Sequence, residues 1–140
     1  MSLSTRFTLA LHIMTLLASA PGEVLASEYI AGSVNTNAAF VRRLMGLLRR
    51  AGLVRSHPGT GGGWQLAQPP EKITLCRVRR ALGEGPVFAM HTQTPNPKCP
   101  VGRHIQGALA GVYAEAEEAM EQQLSQHNVA SLLRSVQGKL

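Results

Sequence analysis

Five arginines without an acidic neighbour dominate the middle of the chain. The segment from Tyr29 to Pro70 contains no aspartate or glutamate. The arginines inside it are Arg42, Arg43, Arg49, Arg50 and Arg55. Guanidinium groups bind phosphates and guanine edges well. The segment therefore predicts a surface for a polyanion, and above all for nucleic acid.

Within this segment, four residue types stand at the spacing of a helix-turn-helix. The two helices of that motif nearly touch, so the first helix needs a small residue, and Ala31 supplies it. Four positions later, Asn35 can adopt the positive φ of the turn, which asparagine tolerates better than most residues. Val41 and Leu44 stand six and nine positions after Asn35, where the second helix must face the core. This combination predicts a DNA-reading helix after the turn.

That second helix is predicted to begin after Asn37 and to end at Ala51, with Gly52 closing it. At about 100° per residue, its apolar side chains share one face, and its small and basic side chains share the other. Small residues let a helix enter the major groove closely, and arginines can reach base edges or phosphates. A merely solvated basic face is a weaker interpretation because the turn signature and the lack of acids accompany it. The expected DNA contacts are Asn37, Ala38, Ala39, Arg42 and Arg43.

A glycine-rich loop, HPGTGGG, follows the helix-turn-helix between two short predicted strands. A nucleotide-binding loop would end in Lys-Ser/Thr and lead into a helix, and this loop does neither. A wing whose backbone approaches DNA fits better, and His57, Thr60 and Gly61 are the expected contacts. Trp64 is expected to pack at the base of this wing.

The composition fits a nucleic-acid-binding protein and excludes several enzyme classes. The chain has 140 residues, a net charge of +6 and a pI near 10.2, and 44 % of its residues are hydrophobic. It is long enough for one folded domain and an additional element. All eight acidic residues are glutamates, which excludes Ser-His-Asp triads and paired-aspartate sites. Because the chain as a whole has the features of a DNA-binding protein, we expect no enzymatic activity. With two cysteines, no signal peptide and no apolar run long enough for a bilayer, a cytoplasmic location is expected.

The other elements are predicted from apolar spacing and capping residues. A first helix is expected near the N-terminus, a short one from a Ser27 cap, and another after a Thr74 cap. The patterns predict a mainly α winged helix-turn-helix domain over residues 1–83 and an irregular Gly/Pro-rich linker over 84–99. A long dimerisation helix and a short terminal helix are expected over residues 100–140.

The long helix carries an apolar stripe at near-heptad spacing. Its members are Ile105, Leu109, Val112 and Leu124. A small winged domain cannot cover a helix of this length. The stripe is therefore expected to pack against a second copy of the chain and to form a homodimer.

No metal or cofactor is expected. The spacings of His91, Cys99 and His104 match no compact zinc pattern, and a fourth ligand is missing. Cys76 is expected to face the core. Cys99 precedes Pro100 at the predicted start of the long helix, where the helix dipole and nearby cations favour a reactive thiolate. Cys99 is therefore either a helix-capping residue or a candidate redox switch.

Taken together, these residues resemble the Rrf2 family of winged helix-turn-helix transcriptional regulators. The resemblance rests on STRFTLALHIMTLLA, IAGSVNTNAAFVRRLMGLLRRAGLVRS, GTGGGWQLA and ITLCRVRRALGEG. The segment NPKCPVGRHI is similar to the YwnA-type branch of the family. The resemblance implies a homodimer that crosses its long helices and binds an inverted repeat. By position, it implies base contacts from Ala39, Arg42 and Arg43 and backbone contacts from Thr5 and Arg6.

The chain also departs from the family pattern. Cluster-binding members have three closely spaced cysteines before the long helix, whereas this chain has only Cys99 there. Pro58 lies within the wing loop, His57 to Gly61, where several members have an arginine that enters the minor groove. An iron–sulfur cluster is therefore not expected, and neither the effector nor the preferred DNA sequence can be transferred from the family.

These observations predict a sequence-specific regulator of transcription, most simply a repressor, that binds an inverted-repeat operator in double-stranded DNA as a homodimer. One alternative is a redox or small-ligand sensor that acts mainly through protein partners and uses its winged helix as an interaction module. RNA binding is a weaker alternative because no aromatic stacking residues line the basic face.

Overall fold

The computed structural model describes residues 3–138 and is mainly helical, with one β-hairpin. This arrangement confirms the predicted fold class. The described residues form two compact units, one extending up to Glu84 and resuming at Leu124, and the other comprising Gly85–Gln123. The elements are α1 (Leu3–Ala18), α2 (Ser27–Val34), α3 (Ala38–Arg50), β1 (Val54–His57), β2 (Gly63–Leu66), a 3₁₀ turn (Pro70–Lys72), α4 (Leu75–Ala81), α5 (Pro100–Ser125) and α6 (Val129–Gln137).

The core of the first unit is formed largely by its helices. Ile13 and Met14 of α1, Ile30 of α2, and Leu44 and Met45 of α3 are each at most 2 % exposed. Within a helix such residues share one face because about 3.6 residues complete each turn. Burying a large apolar side chain contributes about 1.5–3 kcal/mol. This packing fixes the rotation of α3 and turns its other face outward.

The connection between α2 and α3 has the predicted geometry of a helix-turn-helix. Asn35 adopts left-handed backbone angles, φ 60° and ψ 54°, and ends α2. The Thr36 N–H donates to the carbonyl of the buried Ala31 at 3.0 Å. Asn37 then caps α3, because its Oδ1 accepts the Phe40 N–H at 2.8 Å. The predicted roles of Asn35 and Asn37 in the turn are confirmed.

The far end of α3 closes in a Schellman motif. Gly52 has φ 78°, and its N–H donates to the Arg49 carbonyl at 2.9 Å. The Leu53 N–H donates to the Leu48 carbonyl at 3.0 Å. This confirms the predicted end of the helix and leads the chain into β1.

The antiparallel β1–β2 hairpin is held at its base by the segment before α2. Leu25 and Trp64 exchange backbone hydrogen bonds of 3.0 and 2.9 Å, and the Trp64 ring packs against the core as expected. A Cβ on Gly63 would overlap the Leu25 carbonyl, so this approach requires glycine. The cap of α2 is Ala26 and not Ser27 as predicted, because the Ser27 hydroxyl instead accepts the Trp64 indole N–H at 3.0 Å.

The terminal helix α6 belongs to the first unit and packs against α1. It begins in a reciprocal capping box, in which Asn128 Oδ1 accepts the Ser131 N–H at 2.8 Å and Ser131 Oγ accepts the Asn128 N–H at 3.0 Å. The Val129 N–H donates to the Ile73 carbonyl at 2.9 Å, and the Val129 side chain is fully buried. The domain boundaries predicted from the sequence differ here, because they placed this helix together with the long helix in residues 100–140.

In the second unit, the irregular segment 85–99 folds back along α5. The ring of Phe88 stacks on Tyr113 with 4.9 Å between the centroids and 19° between the planes. The Val87 N–H donates to the Glu117 carboxylate. Tyr113 and Glu117 are one turn apart, so the segment covers a single face of α5. No residue of α5 is buried.

Candidate nucleic-acid interface

α3 turns most of its predicted DNA-reading side chains toward solvent. Val41 is fully buried, as predicted for a core-facing position. On the other side, Ala39, Arg42 and Arg43 are exposed, whereas Ala38 is half-buried and packs against the core. The first half of α3 thus presents a short side chain beside two adjacent arginines.

A groove of about 900 Å³ lies against this face of α3. Its basic residues come from two helices, α1 and α3. None of the described residues that line it is acidic, so the groove itself offers a phosphate backbone cationic and neutral side chains, although a carboxylate outside its lining, described below, pairs with Arg42. The basic and amide-bearing lining residues are Arg6, Asn37, Arg42, Arg43 and Arg50.

Two side chains of this groove also hold the fold together. Arg6 is half-buried, and its Nη2 donates to the Leu82 carbonyl at 3.2 Å, which ties α1 to the end of α4. Its other N–H groups remain available as donors, because a guanidinium has five. Asn37 uses Oδ1 to cap α3, so its side-chain NH₂ is the group that can donate to a phosphate. Thr5, next to Arg6, is exposed.

Arg42 has an ionic partner that the sequence analysis did not identify. Glu28, in the first turn of α2, places its Oε1 2.6 Å from Arg42 Nη2. The Arg42 and Glu28 side chains nevertheless remain 54 % and 69 % exposed. The two residues are 14 positions apart, and Glu28 precedes the acid-free segment by one residue. The sequence signal for this pair was an acidic residue near the start of the first helix of the motif, from which it could reach an arginine on the second helix.

The neighbouring Arg43 is held in a different way. Its guanidinium carbon lies 5.6 Å from the centroid of the Phe40 ring. A guanidinium over a ring face keeps its in-plane N–H donors available. Two adjacent arginines therefore present different chemistry, one beside a carboxylate and the other over an aromatic ring.

The wing presents its predicted residues unequally. Thr60 and Gly61 are exposed at the tip, and Gly61 has φ 76°. His57 is half-buried in β1, and its Nε2 shares a hydrogen bond of 2.7 Å with Gln65 Oε1. A cavity of about 300 Å³ is lined by this side of the wing, by Glu28 and by Arg42. The wing and the recognition helix thus border one space.

The predicted dimerisation residues fall into two groups. At about 100° per residue, Ile105, Leu109 and Val112 lie within roughly 60° on α5. Ile105 is 37 % exposed and Val112 is 59 % exposed. Leu124 lies about 100° from Ile105 by the same geometry and belongs to the first unit. Ile105 and Val112 therefore form an exposed apolar face together with Leu109, which is half-buried.

The two thiols lie in different environments. Cys76 is 2 % exposed, which confirms its predicted place in the core. Cys99 is exposed, and its Sγ accepts the Gly102 N–H at 3.4 Å at the start of α5. Among the described residues, no group of three or more His, Cys, Asp or Glu side chains could hold a metal ion. An iron–sulfur cluster generally has about four protein ligands, and this set within one chain does not fit it.

Comparison with known proteins identifies the family. A family model for Rrf2, described as an iron-dependent transcriptional regulator, matches residues 3–135. The chain belongs to the Rrf2 family. It is 38 % identical over 132 residues to a Bacillus subtilis protein named as the HTH-type transcriptional regulator YwnA, covering 94 % of this chain and 96 % of that one.

Solved structures support the same assignment. One protein described as DNA-binding has 35 % identity and a TM-score of 0.73, covering 91 % of this chain and 98 % of that chain. The oxidised form of Staphylococcus aureus CymR has 27 % identity and a TM-score of 0.70, covering 95 % and 96 %.

The family assignment confirms the resemblance found in the sequence. This Rrf2 protein is a DNA-binding transcriptional regulator and not an enzyme. Iron dependence belongs to the description of the family model, and the absence of an iron–sulfur cluster in this chain stays a prediction. None of its described helices is long and apolar enough to cross a membrane.

Proposed function

We propose that this Rrf2 protein is a homodimeric repressor that binds an inverted-repeat operator in double-stranded DNA. The observation that carries the proposal is the groove beside α3, which is lined by Arg6, Arg42, Arg43 and Arg50 and by no described acidic residue. Winged helix-turn-helix proteins place the second helix of the motif in the major groove. The exposed side of α3, with its short and basic side chains, is suited to insertion into the major groove.

The proposed contacts divide into base readers, backbone contacts and wing contacts. Short Ala39 allows close approach to the base edges, and the two adjacent arginines reach guanine or phosphate. The groups at the start of α1 and at the cap of α3 bind phosphates and fix the position of the domain. The base readers are Ala39, Arg42 and Arg43, the backbone contacts are Thr5, Arg6, Asn37 and Ala38, and the wing contacts are His57, Thr60 and Gly61.

The proposed dimer rests on the exposed apolar face of α5. The helix has 26 residues, which corresponds to about 39 Å. Phe88 covers only the face around Tyr113, which leaves Ile105 and Val112 exposed. A second copy related by a two-fold axis covers such a face on both chains. The same symmetry explains why the operator should be an inverted repeat.

Repression is the simplest outcome of this architecture. A dimer that occupies two half-sites blocks other proteins from the DNA beneath it. We accordingly place the protein in the cytoplasm, with the DNA that it regulates.

Selection from a random-sequence duplex library with the full chain tests this function. The enriched duplexes should contain an inverted repeat, and their affinity should fall steeply as salt rises, with a log–log slope of about −0.9 for each phosphate contacted. The matching single strands and RNA duplexes should bind weakly. Failure to enrich any duplex, or equal binding to single strands, would refute the proposal.

A further inference from the structure

The ion pair between Glu28 and Arg42 places a negative charge on the surface proposed to face DNA. Oε1 and Nη2 are 2.6 Å apart, and both side chains are more than half exposed. Exposed pairs of this kind contribute little to folding. A carboxylate there is also repelled by every phosphate that approaches. Its position therefore calls for an explanation in DNA binding rather than in stability.

The effect of the carboxylate on Arg42 supplies that explanation. A long, flexible arginine beside DNA binds phosphates of any sequence. A charge-assisted hydrogen bond to Glu28 holds the guanidinium in one orientation. That bond uses only one of five N–H donors, so the remaining donors can still form the paired contact with a guanine edge. Arg43, which lies over the Phe40 ring instead, has no such orienting bond to Glu28.

We propose that Glu28 is a specificity-determining positioning residue, which orients Arg42 for base reading and disfavours binding to non-operator DNA. The inference rests on the proposed DNA-binding function. The location of Glu28 also supports this role, because Glu28 and Arg42 both line the cavity between α2, α3 and the wing. Glu28 thus acts through Arg42, at the point where the two DNA-reading parts of the chain come together.

The test measures affinities of the full-length protein for two duplexes. One is the duplex selected by the wild-type chain, and the other is a shuffled duplex of the same length and composition. Glu28→Gln removes the charge, and Glu28→Ala also removes the hydrogen bond. For both variants, affinity for the shuffled duplex should rise about fourfold for each subunit in contact, or about 16-fold for the dimer, because one unit charge roughly 5 Å from a phosphate in water contributes a factor of about four. Affinity for the selected duplex should stay the same or fall.

A second selection identifies the base pair concerned. Glu28→Ala should lose preference at one base pair in each half-site, and Arg42→Ala should lose preference at the same one. In an Arg42→Ala background, adding Glu28→Ala should leave the ratio of the two affinities unchanged. Glu71→Gln is the matched control, because it removes an exposed carboxylate from the 3₁₀ turn, which packs against α6. It should leave that ratio as in the wild type.

Three results would overturn the role of Glu28 and leave the proposed function standing. An equal rise for both duplexes would mean that Glu28 acts only as a negative charge. No change for either duplex would mean that the pair plays no part in binding. A fall for both, with a lower thermal midpoint, would make Glu28 a structural residue. If the wild-type chain enriches no duplex, the proposed function itself fails, and the role of Glu28 fails with it.

Discussion

Replacing Arg42 and Arg43 with alanine should remove specific DNA binding and leave the fold intact. Both side chains lie on the exposed face of α3, whereas Val41 beside them is fully buried. Exposed substitutions of this kind usually change the free energy of unfolding by about 0.5 kcal/mol or less. Loss of the exposed pair with Glu28 adds at most about 1 kcal/mol. The variants should therefore remain folded at room temperature.

The loss in binding should be much larger. An arginine that reads a base edge contributes about 1–3 kcal/mol, so the double variant should lose about 2–6 kcal/mol in each half-site, or about 4–12 kcal/mol for the dimer, if the effects add. Specific binding generally exceeds non-specific binding by about 4–10 kcal/mol. Arg42→Ala should cost more than Arg43→Ala, because it also leaves the Glu28 carboxylate unpaired beside the phosphates.

Fluorescence anisotropy with the selected duplex at several salt concentrations measures these losses. Arg55→Ala is a matched control, since it removes the same charge from the same basic segment. Arg55 lies in β1, where successive side chains point to opposite faces. Ser56 lines the cavity beside Arg42, whereas Arg55 lines a different cavity near the end of α1, away from the proposed recognition face. Near-wild-type affinity of the folded double variant, or an equal loss with Arg55→Ala, would refute the assignment of the recognition face.

Four other predictions follow from the same structure. Val112→Glu should convert a dimer into a monomer in sedimentation at micromolar concentration, while Ala114→Glu, about 200° away on α5, should not; a monomeric wild type would exclude the proposed interface. Asn35→Ala should lower the free energy of unfolding by about 1–2 kcal/mol, because alanine resists the left-handed angles of the turn, whereas Asn35→Gly should cost less; equal thermal midpoints for the two variants would contradict this. Protein prepared anaerobically with iron and sulfide should be colourless, and a stoichiometric charge-transfer band would show that a cluster forms. If Cys99 is a redox switch, mild peroxide should change the operator affinity of the wild type but not that of Cys99→Ser; equal responses would leave Cys99 only its role as the cap of α5.

The local features of the DNA-reading part could be predicted from the sequence because they depend on near neighbours. Asn35 and Gly52 have positive φ, and Asn37 caps α3, as residue preferences indicated. The outward face of α3 followed from helical periodicity, since the same spacing that buries Val41 exposes Arg42 and Arg43. Helical periodicity likewise predicted that Ile105, Leu109 and Val112 share one face of α5.

Other properties depended on contacts between segments that are distant in the chain. α6 joins the first unit because Val129 is buried there, and its amphipathic pattern alone could not indicate which surface would cover it. Leu124 belongs to the first unit, which its apolar spacing along α5 could not indicate. Arg79 is only 8 % exposed, despite its place in a run of basic residues.

The partner of Arg42 is the clearest case in which tertiary structure decided the chemistry. The sequence shows a stretch free of acids that starts at Tyr29, and Glu28 is the residue directly before that stretch. The turn at Asn35 then folds α2 back beside α3 and brings this carboxylate within 2.6 Å of the guanidinium. Charge pairing depends on distance in space rather than on separation in sequence. Only the folded chain could therefore distinguish Arg42, beside a carboxylate, from Arg43, over an aromatic ring.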